Sequence, residues 1–240
     1  MIIHVLGMGM GPQHLTPEAS EALRRSAYVV AAEKGPDDPL LAVRRTVADA
    51  HGLPVVAVPD PERDRTPRDY PTEVRSWHGA RTRAWADAIA ARVGDPAFLV
   101  WGDPSLYDST IRIVDEVAAR LGATVSVVPG ISAPALLAAR FGIVLHEVGR
   151  PVHVTTARRV RESVDGGQRN IVVMLSPGPE LAGLDKWSIW WGANLGAPSE
   201  ALVKGRVGDV AGRIEEARRR VRRDAGWVMD VYLLRDGAER

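Results

Sequence analysis

The chemistry open to this chain is bounded by a few side chains. It holds six histidines and no cysteine in 240 residues. Without cysteine there is no thiolate nucleophile, no disulfide and no cysteine-ligated zinc or iron–sulfur centre. His51, His146 and His153 show no metal-ligand spacing with one another. His78 is the strongest acid–base candidate. It stands in "SWHGAR", three residues after Arg75, so the two share a helix face. An imidazole there is a base near neutral pH, and a partly exposed helical histidine is the alternative. His14, Tyr107 and Asp108 are the other acid–base candidates. His4 lies inside an apolar run and is expected to be a hydrogen-bonded core residue.

The run "IIHVLGMGMGPQHLTPEAS" raises a second kind of chemistry, nucleotide binding. A dinucleotide fingerprint needs G-x-G-x-x-G after a strand. Counted from Gly7, the third glycine falls on Pro12; counted from Gly9, it falls on His14. Both registers fail, although Glu33 ends the next strand-like run, where a ribose-binding acid stands in such proteins. No Gly-Lys-Ser/Thr follows, so this is no P-loop. A tight turn with positive φ accounts for one or two glycines. Three glycines and a proline point further, to backbone that approaches a ligand closely.

The elements that must position these groups alternate. "IIHVLG", "AYVVAAE", "PVVAV", "AFLVWGD" and "TVSVVPG" read as short buried strands. Between them, "TPEASEALRRS" has Thr16 as N-cap and Pro17 at the first helical position. "PTEVRSWHGARTRAWADAIAARVG" and "TIRIVDEVAARLG" repeat apolar residues at helical spacing and end in Gly94 and Gly122. This alternation argues for a parallel α/β sheet. After about residue 135 the texture changes. "VHVTTA", "NIVVML", "SIWWGAN", "ALVKGRV" and "WVMDVYLLR" are strand-like, with fewer long helices, which suggests an α+β half with a mixed sheet. The expected division is residues 1–133 and 134–240, with a ligand cleft between unlike halves. The Pro-rich, charged segment 59–73 reads as a lid or a solvated linker.

Composition excludes little else. The formal net charge is +1, so there is no overall electrostatic case for nucleic acid or membrane. The first apolar run is too short and lacks the basic leader of a signal peptide. No stretch reaches the length of about 18 apolar residues that a membrane span needs. The Arg218–Arg223 run follows Glu215 and Glu216 at helical spacing. It reads as a solvated helix face, with a phosphate or RNA patch as the sharper alternative.

Three turns at strand ends, in order, carry the most specific signal: "GMGMGPQHLT", "GDPSLY" and "PGISA". With them the chain resembles the tetrapyrrole methylase family over nearly its whole length. "AEKG", "DYPTEVRSWHGARTRAW", "FLVWGDPSLYDSTIRIV" and "WWGANLG" narrow the resemblance to members that methylate C1 of the macrocycle and expel its acetyl group in cobalamin synthesis. Two departures stand out. Gly11 is followed directly by Pro12 where the family has Gly-Asp-Pro, and a later Met-Gly reads Met174-Leu175-Ser176.

The resemblance implies two α/β domains, the first with a mostly parallel sheet and the second with a mixed one. It places S-adenosyl-L-methionine in the cleft between them, with S-adenosyl-L-homocysteine as product and no metal. It assigns the cofactor to Pro12, Trp101, Gly102, Asp103, Leu106, Ser132, Ala133, Leu175, Gly192 and Gly196. His78, Tyr107 and Asp108 become catalytic candidates. The substrate's acetate and propionate groups suit Lys34, Arg75 and Arg112, with Arg81 and Arg83 also in these stretches. Trp187, Trp190 and Trp191 are either an apolar wall for a flat macrocycle or core packing. A cytoplasmic homodimer acting on a small tetrapyrrole, without nucleic acid or membrane partners, is the implied setting. Another ring carbon, diphthine synthesis and a nicotinamide-dependent oxidoreductase remain as alternatives.

Overall fold

A computed structural model describes residues 1–35, 38–62 and 69–237. It divides into two compact units, Met1–Ile131 and Ser132–Arg240.

The first unit is a parallel sheet of β1 (Ile2–Gly7), β2 (Tyr28–Glu33), β3 (Val55–Pro59), β4 (Pro96–Val100) and β5 (Thr124–Val128), in the order β3-β2-β4-β1-β5. The central strands β1 and β4 are almost wholly buried, as expected of parallel strands covered on both faces. One face packs α3 (Tyr70–Ala90) and α4 (Thr110–Leu121), through Trp85, Ile89, Ile113 and Val117. The other packs α1 (Pro17–Arg25) and α2 (Pro39–Asp49), through Leu23, Val47 and Ala48. Thr16 caps α1, its hydroxyl accepting the Ala19 amide at 3.1 Å. Helix α4 stops at Gly122, whose φ of 63° is left-handed.

Some boundaries differ from the sequence reading. Helix α3 ends at Ala90 rather than running to Gly94. Gly94 turns the chain at φ 101°, and a Cβ there would sit 2.4 Å from the Ala27 Cβ. Helix α2 lies in a stretch to which the sequence reading assigns no element. Its N-cap is Asp38, which accepts from the Leu40 and Leu41 amides. The central part of the expected lid or linker, residues 63–68, lies outside the described residues. His4 is in the core at 5% exposure, but its Nδ1 has no hydrogen-bond partner among the described residues, contrary to expectation. Burial lowers the pKa of this imidazole, with Asp95 opposing, so the neutral ring is the form the core accommodates.

The second unit begins with α5 (Ala133–Phe141) and builds a mixed sheet in the order β6-β7-β10-β8-β9. Its strands are β6 (His153–Thr156), β7 (Asn170–Met174), β8 (Ser188–Ala193), β9 (Ala201–Arg206) and β10 (Asp230–Arg235). A short helix α6 (Val160–Asp165) and the 19-residue α7 (Val207–Ala225) complete it. The sequence reading underestimates α7 because its arginines draw the eye. Val207, Val210, Ile214, Ala217 and Val221 recur at helical spacing and are all buried. The Arg run is therefore mainly the solvated face of an amphipathic helix. Arg218 is the exception: its Nε donates to the buried Asp230 carboxylate at 3.0 Å. Burial raises the Asp230 pKa, while Arg218 and the Trp191 indole N–H oppose that rise. Trp187 and Trp191 belong to the core, the latter at 0% exposure. Core packing thus accounts for them, and Trp191 offers no face to a macrocycle.

Candidate functional site

The three motif turns emerge from the carboxyl ends of β1, β4 and β5, the edge of a parallel sheet where ligands bind. The sheet continues briefly beyond its strands. The Met8 amide donates to Val100 O at 2.9 Å, and Gly9 and Gly102 exchange amide–carbonyl bonds of 3.2 and 2.8 Å. Gly130 closes the cluster. A Cβ on Gly130 would lie 2.3 Å from Gly102 O, and one on Gly7 would lie 2.4 Å from Gly130 N. At Gly7 the close approach is to another strand end.

Asp103 ties the turns together. Its Oδ2 accepts from the Gly130 amide at 3.0 Å, and its Oδ1 accepts from the Ser105 amide at 2.8 Å and from the Ser105 hydroxyl. Burial works to raise the Asp103 pKa, but the hydrogen bonds from Ser105 and Gly130 outweigh it and hold the carboxyl below its ordinary range. An aspartate with both oxygens engaged inward holds the β4 turn to the β5 turn.

The geometry also disfavours a dinucleotide. In that motif the glycine loop leads straight into a helix whose open N-terminus holds the pyrophosphate. Here a 3-10 turn, Pro12–His14, intervenes, and Thr16 already caps α1. Pro12 itself is exposed.

Among the described residues, three other than glycine adopt left-handed backbone: Tyr107 at φ 51°, Leu175 at 53° and Asn194 at 46°. Each lies in a turn following a strand, and such strained positions gather at functional sites. Tyr107 and Leu175 are exposed, at 44% and 59%. Asn194 is held by several bonds, among them one that the Ala197 amide donates to its carbonyl at 3.0 Å. Its Oδ1 accepts the Met229 amide at 2.8 Å, its Nδ2 donates to Ser199 Oγ and Trp227 O, and its own amide donates to Met229 O. Asn194→Ala is expected to be less stable than Asn194→Gly by about 1 kcal/mol, because only alanine is strained at positive φ. Denaturant midpoints of the two variants check this, and equal midpoints would remove the strain.

Around Asn194, Gly192 packs against Leu137 and Leu195, where a Cβ would come within 2.9 and 2.7 Å. The Gly196 amide donates to Glu200 Oε2 at 2.7 Å, and Arg140 holds the same carboxylate. Ser132 is the N-cap of α5, its hydroxyl accepting the Ala135 amide at 3.4 Å, and Ala133 is the first helical residue.

The acid–base and substrate candidates separate into two groups. Lys34 and Asp108 line one small pocket of the first unit, with Arg81. Arg81 donates to both Asp60 oxygens at 2.5 Å and stacks 3.9 Å from the Trp77 ring centroid. Arg75, His78 and Arg112 do not line that pocket. Arg75 is exposed and bonds Thr72 at 2.7 Å, His78 rests against the Trp77 ring, and Arg112 is exposed on α4. Trp101 and Leu106 are half-buried in the β4 turn. Sequence reasoning missed Arg44, which enters the pocket from α2. The signal for that helix was Asp38-Pro39 before apolar residues at helical spacing.

The comparisons with known proteins agree with this arrangement. A profile of the tetrapyrrole (corrin/porphyrin) methylases matches residues 3–211. A Sinorhizobium relative named precorrin-6A synthase [deacetylating] is 37% identical, with 99% of this chain and 96% of the relative aligned. A crystal structure of a cobalamin synthesis related protein from Corynebacterium diphtheriae superposes with a TM-score of 0.84 at 38% identity, covering 98% of this chain and 99% of that one. Uroporphyrin-III C-methyltransferase from Thermus thermophilus, in complex with S-adenosylhomocysteine, shares the fold at a TM-score of 0.59 and 20% identity, covering 98% and 92%. With a family profile spanning most of its length and its three turns joined at one sheet edge, this chain belongs to the tetrapyrrole methylases.

Proposed function

We propose that the chain is the C-methyltransferase that converts precorrin-5 to precorrin-6A in cobalamin (corrin) biosynthesis, methylating C1 of the macrocycle with loss of the acetyl group as acetate. The observation that carries this is the near full-length likeness to the relative named precorrin-6A synthase. S-adenosyl-L-methionine supplies an electrophilic methyl group when bound. The turns suit such a ligand: none of the three carries a lysine, and the first leads to a helix already capped by Thr16, which does not favour a phosphate.

Trp101, Gly102 and Asp103 are proposed to hold this ligand through backbone groups, with Leu106 nearby and Pro12, Ser132, Ala133, Leu175, Gly192 and Gly196 completing its site. Positioning of the two reactants at near-attack distance provides much of the rate. Acetyl loss asks more of the side chains. Water adds to the ketone carbonyl, the bond to C1 breaks, and its electron pair leaves C1 nucleophilic. A base must take the proton from water, and a donor must stabilise the oxyanion. His78, Tyr107 and Asp108 are proposed for these tasks, and Lys34, Arg75 and Arg112 for the substrate carboxylates. A homodimer working in the cytoplasm completes the proposal. Among the described residues no helix is long and apolar enough to cross a membrane.

The test supplies precorrin-5 and S-adenosyl-L-methionine and follows acetate together with product mass. One methyl gained and one acetyl lost is the expected result. Methylation with the acetyl retained would refute deacetylation while leaving the methylase. Tight NAD binding without S-adenosylhomocysteine binding would overturn the reading entirely.

A further inference from the structure

The pocket at the carboxyl ends of β2 and β4 holds about 120 Å³. That is small beside the roughly 300–1,000 Å³ of a site for a drug-sized ligand. It admits one side-chain arm and no macrocycle.

Its charges are unequally engaged. Asp38 accepts the Leu40 and Leu41 amides through Oδ1 and the Lys34 amide through Oδ2. Asp108 accepts the Thr110 amide at 2.6 Å. Arg81 is held by Asp60, as described. Two cations remain. Among the described residues, neither Lys34 nor Arg44 has a carboxylate at ion-pair distance. Arg44 is anchored by its Nε, which donates to Leu99 O at 2.8 Å. This fixes the guanidinium plane and leaves both Nη groups without an acceptor among the described residues. Burial lowers the Arg44 pKa, opposed by Asp38 and Asp108 at longer range and reinforced by Arg81. A half-buried guanidinium without a carboxylate in direct contact is costly, and a bound anion offsets that cost. The fixed fork matches a carboxylate.

We propose that this pocket receives one peripheral carboxylate arm of the substrate, with Arg44 as the recognising fork and Lys34 as the second cation. This rests on the tetrapyrrole reading above. Arg44 is then a specificity residue outside the motifs. The same chemistry also exists at the methionine end of the cofactor, so the test must separate the two sources.

Arg44→Gln is expected to raise KM for precorrin-5 about tenfold or more. Its kcat should stay within about threefold, because the arm is remote from the reacting carbon. S-adenosylhomocysteine affinity, measured by calorimetry, should be unchanged. Lys34→Gln alters an exposed side chain that folding does not need, and should raise KM severalfold. An unchanged KM in both variants overturns the proposal. Weaker S-adenosylhomocysteine binding with KM for precorrin-5 unchanged also overturns it, by giving the pocket to the cofactor. Uroporphyrin III and its methyl ester, followed by fluorescence, isolate the subsite from the reaction. If the wild type leaves precorrin-5 unchanged but binds the acid over the ester in an Arg44-dependent way, the reaction reading fails and the subsite stands. If the wild type turns precorrin-5 over and Arg44→Gln changes neither KM nor porphyrin binding, the subsite fails and the reaction stands.

Discussion

Gly130→Ala is expected to destabilise the protein by about 3 kcal/mol or more and to abolish S-adenosylhomocysteine binding with it. The reason is space. Gly130 is absent from the positive-φ residues, so an alanine there meets no backbone strain. Its Cβ would instead fall 2.3 Å from Gly102 O and 2.8 Å from Gly7 C and Cα. These are backbone atoms of two other strand ends, and no side-chain rotation relieves the overlap. Relief requires moving a strand or breaking the Gly9–Gly102 bridge. Gly178→Ala is the control: it also lacks a positive φ, no heavy atom lies within 4 Å of where its Cβ would stand, and its midpoint should barely move. Denaturant midpoints read the stability effect, and calorimetry reads the binding. A Gly130→Ala protein as stable as the control would show that the three strand ends are not this close.

Asp103→Asn is the second large effect. The amide retains one acceptor oxygen for Ser105 and turns its NH2 toward the Gly130 amide, so donor faces donor. The expected cost is about 1–3 kcal/mol at neutral pH. The pH dependence is the sharper readout. The folded carboxyl titrates below its ordinary value of 3.8. Its contribution is therefore complete above that value and is lost as pH falls through the lower, folded value. The stability gap between wild type and Asp103→Asn should be constant near neutrality and should close as pH drops below 3.8. A gap that persists undiminished in acid would mean that the ionised carboxylate is not what holds Gly130.

Much of this was legible in the chain itself. The strands of the first unit were apolar and β-branched enough to be read directly, because parallel strands are buried on both faces. The family was legible because the motif turns are backbone-driven: few residues other than Gly, Pro, Asp and Ser make them. What escaped reading has physical causes. Helix α2 was hidden because its cap, Asp38, follows a stretch dense in turn formers. Helix α7 was masked by the charge of its outer face, although its inner stripe is regular. Arg44 carries no motif at all. Its place in the pocket comes from the pairing of β2 with β4, which brings α2 over the Leu99 carbonyl, and a one-dimensional reading cannot see that. The packing of Gly7 against Gly130 is hidden for the same reason: the two are distant in the chain.

The strand order has a consequence for how the first unit comes into being. Of the five strands of this sheet β1 is made before the others, yet it pairs with β4 and β5 and with neither β2 nor β3. β2 and β3 can join as soon as both have left the ribosome. β1 must wait, its apolar residues unsheltered, until β4 has been made through Val100, and its other edge stays open until β5 is complete at Val128. Such long sequence separations slow folding and lengthen the exposure of unpaired edges. The contact of Gly7, Gly102 and Gly130 is therefore the last to close on the nascent chain, and the ligand-facing edge matures only when the whole unit does.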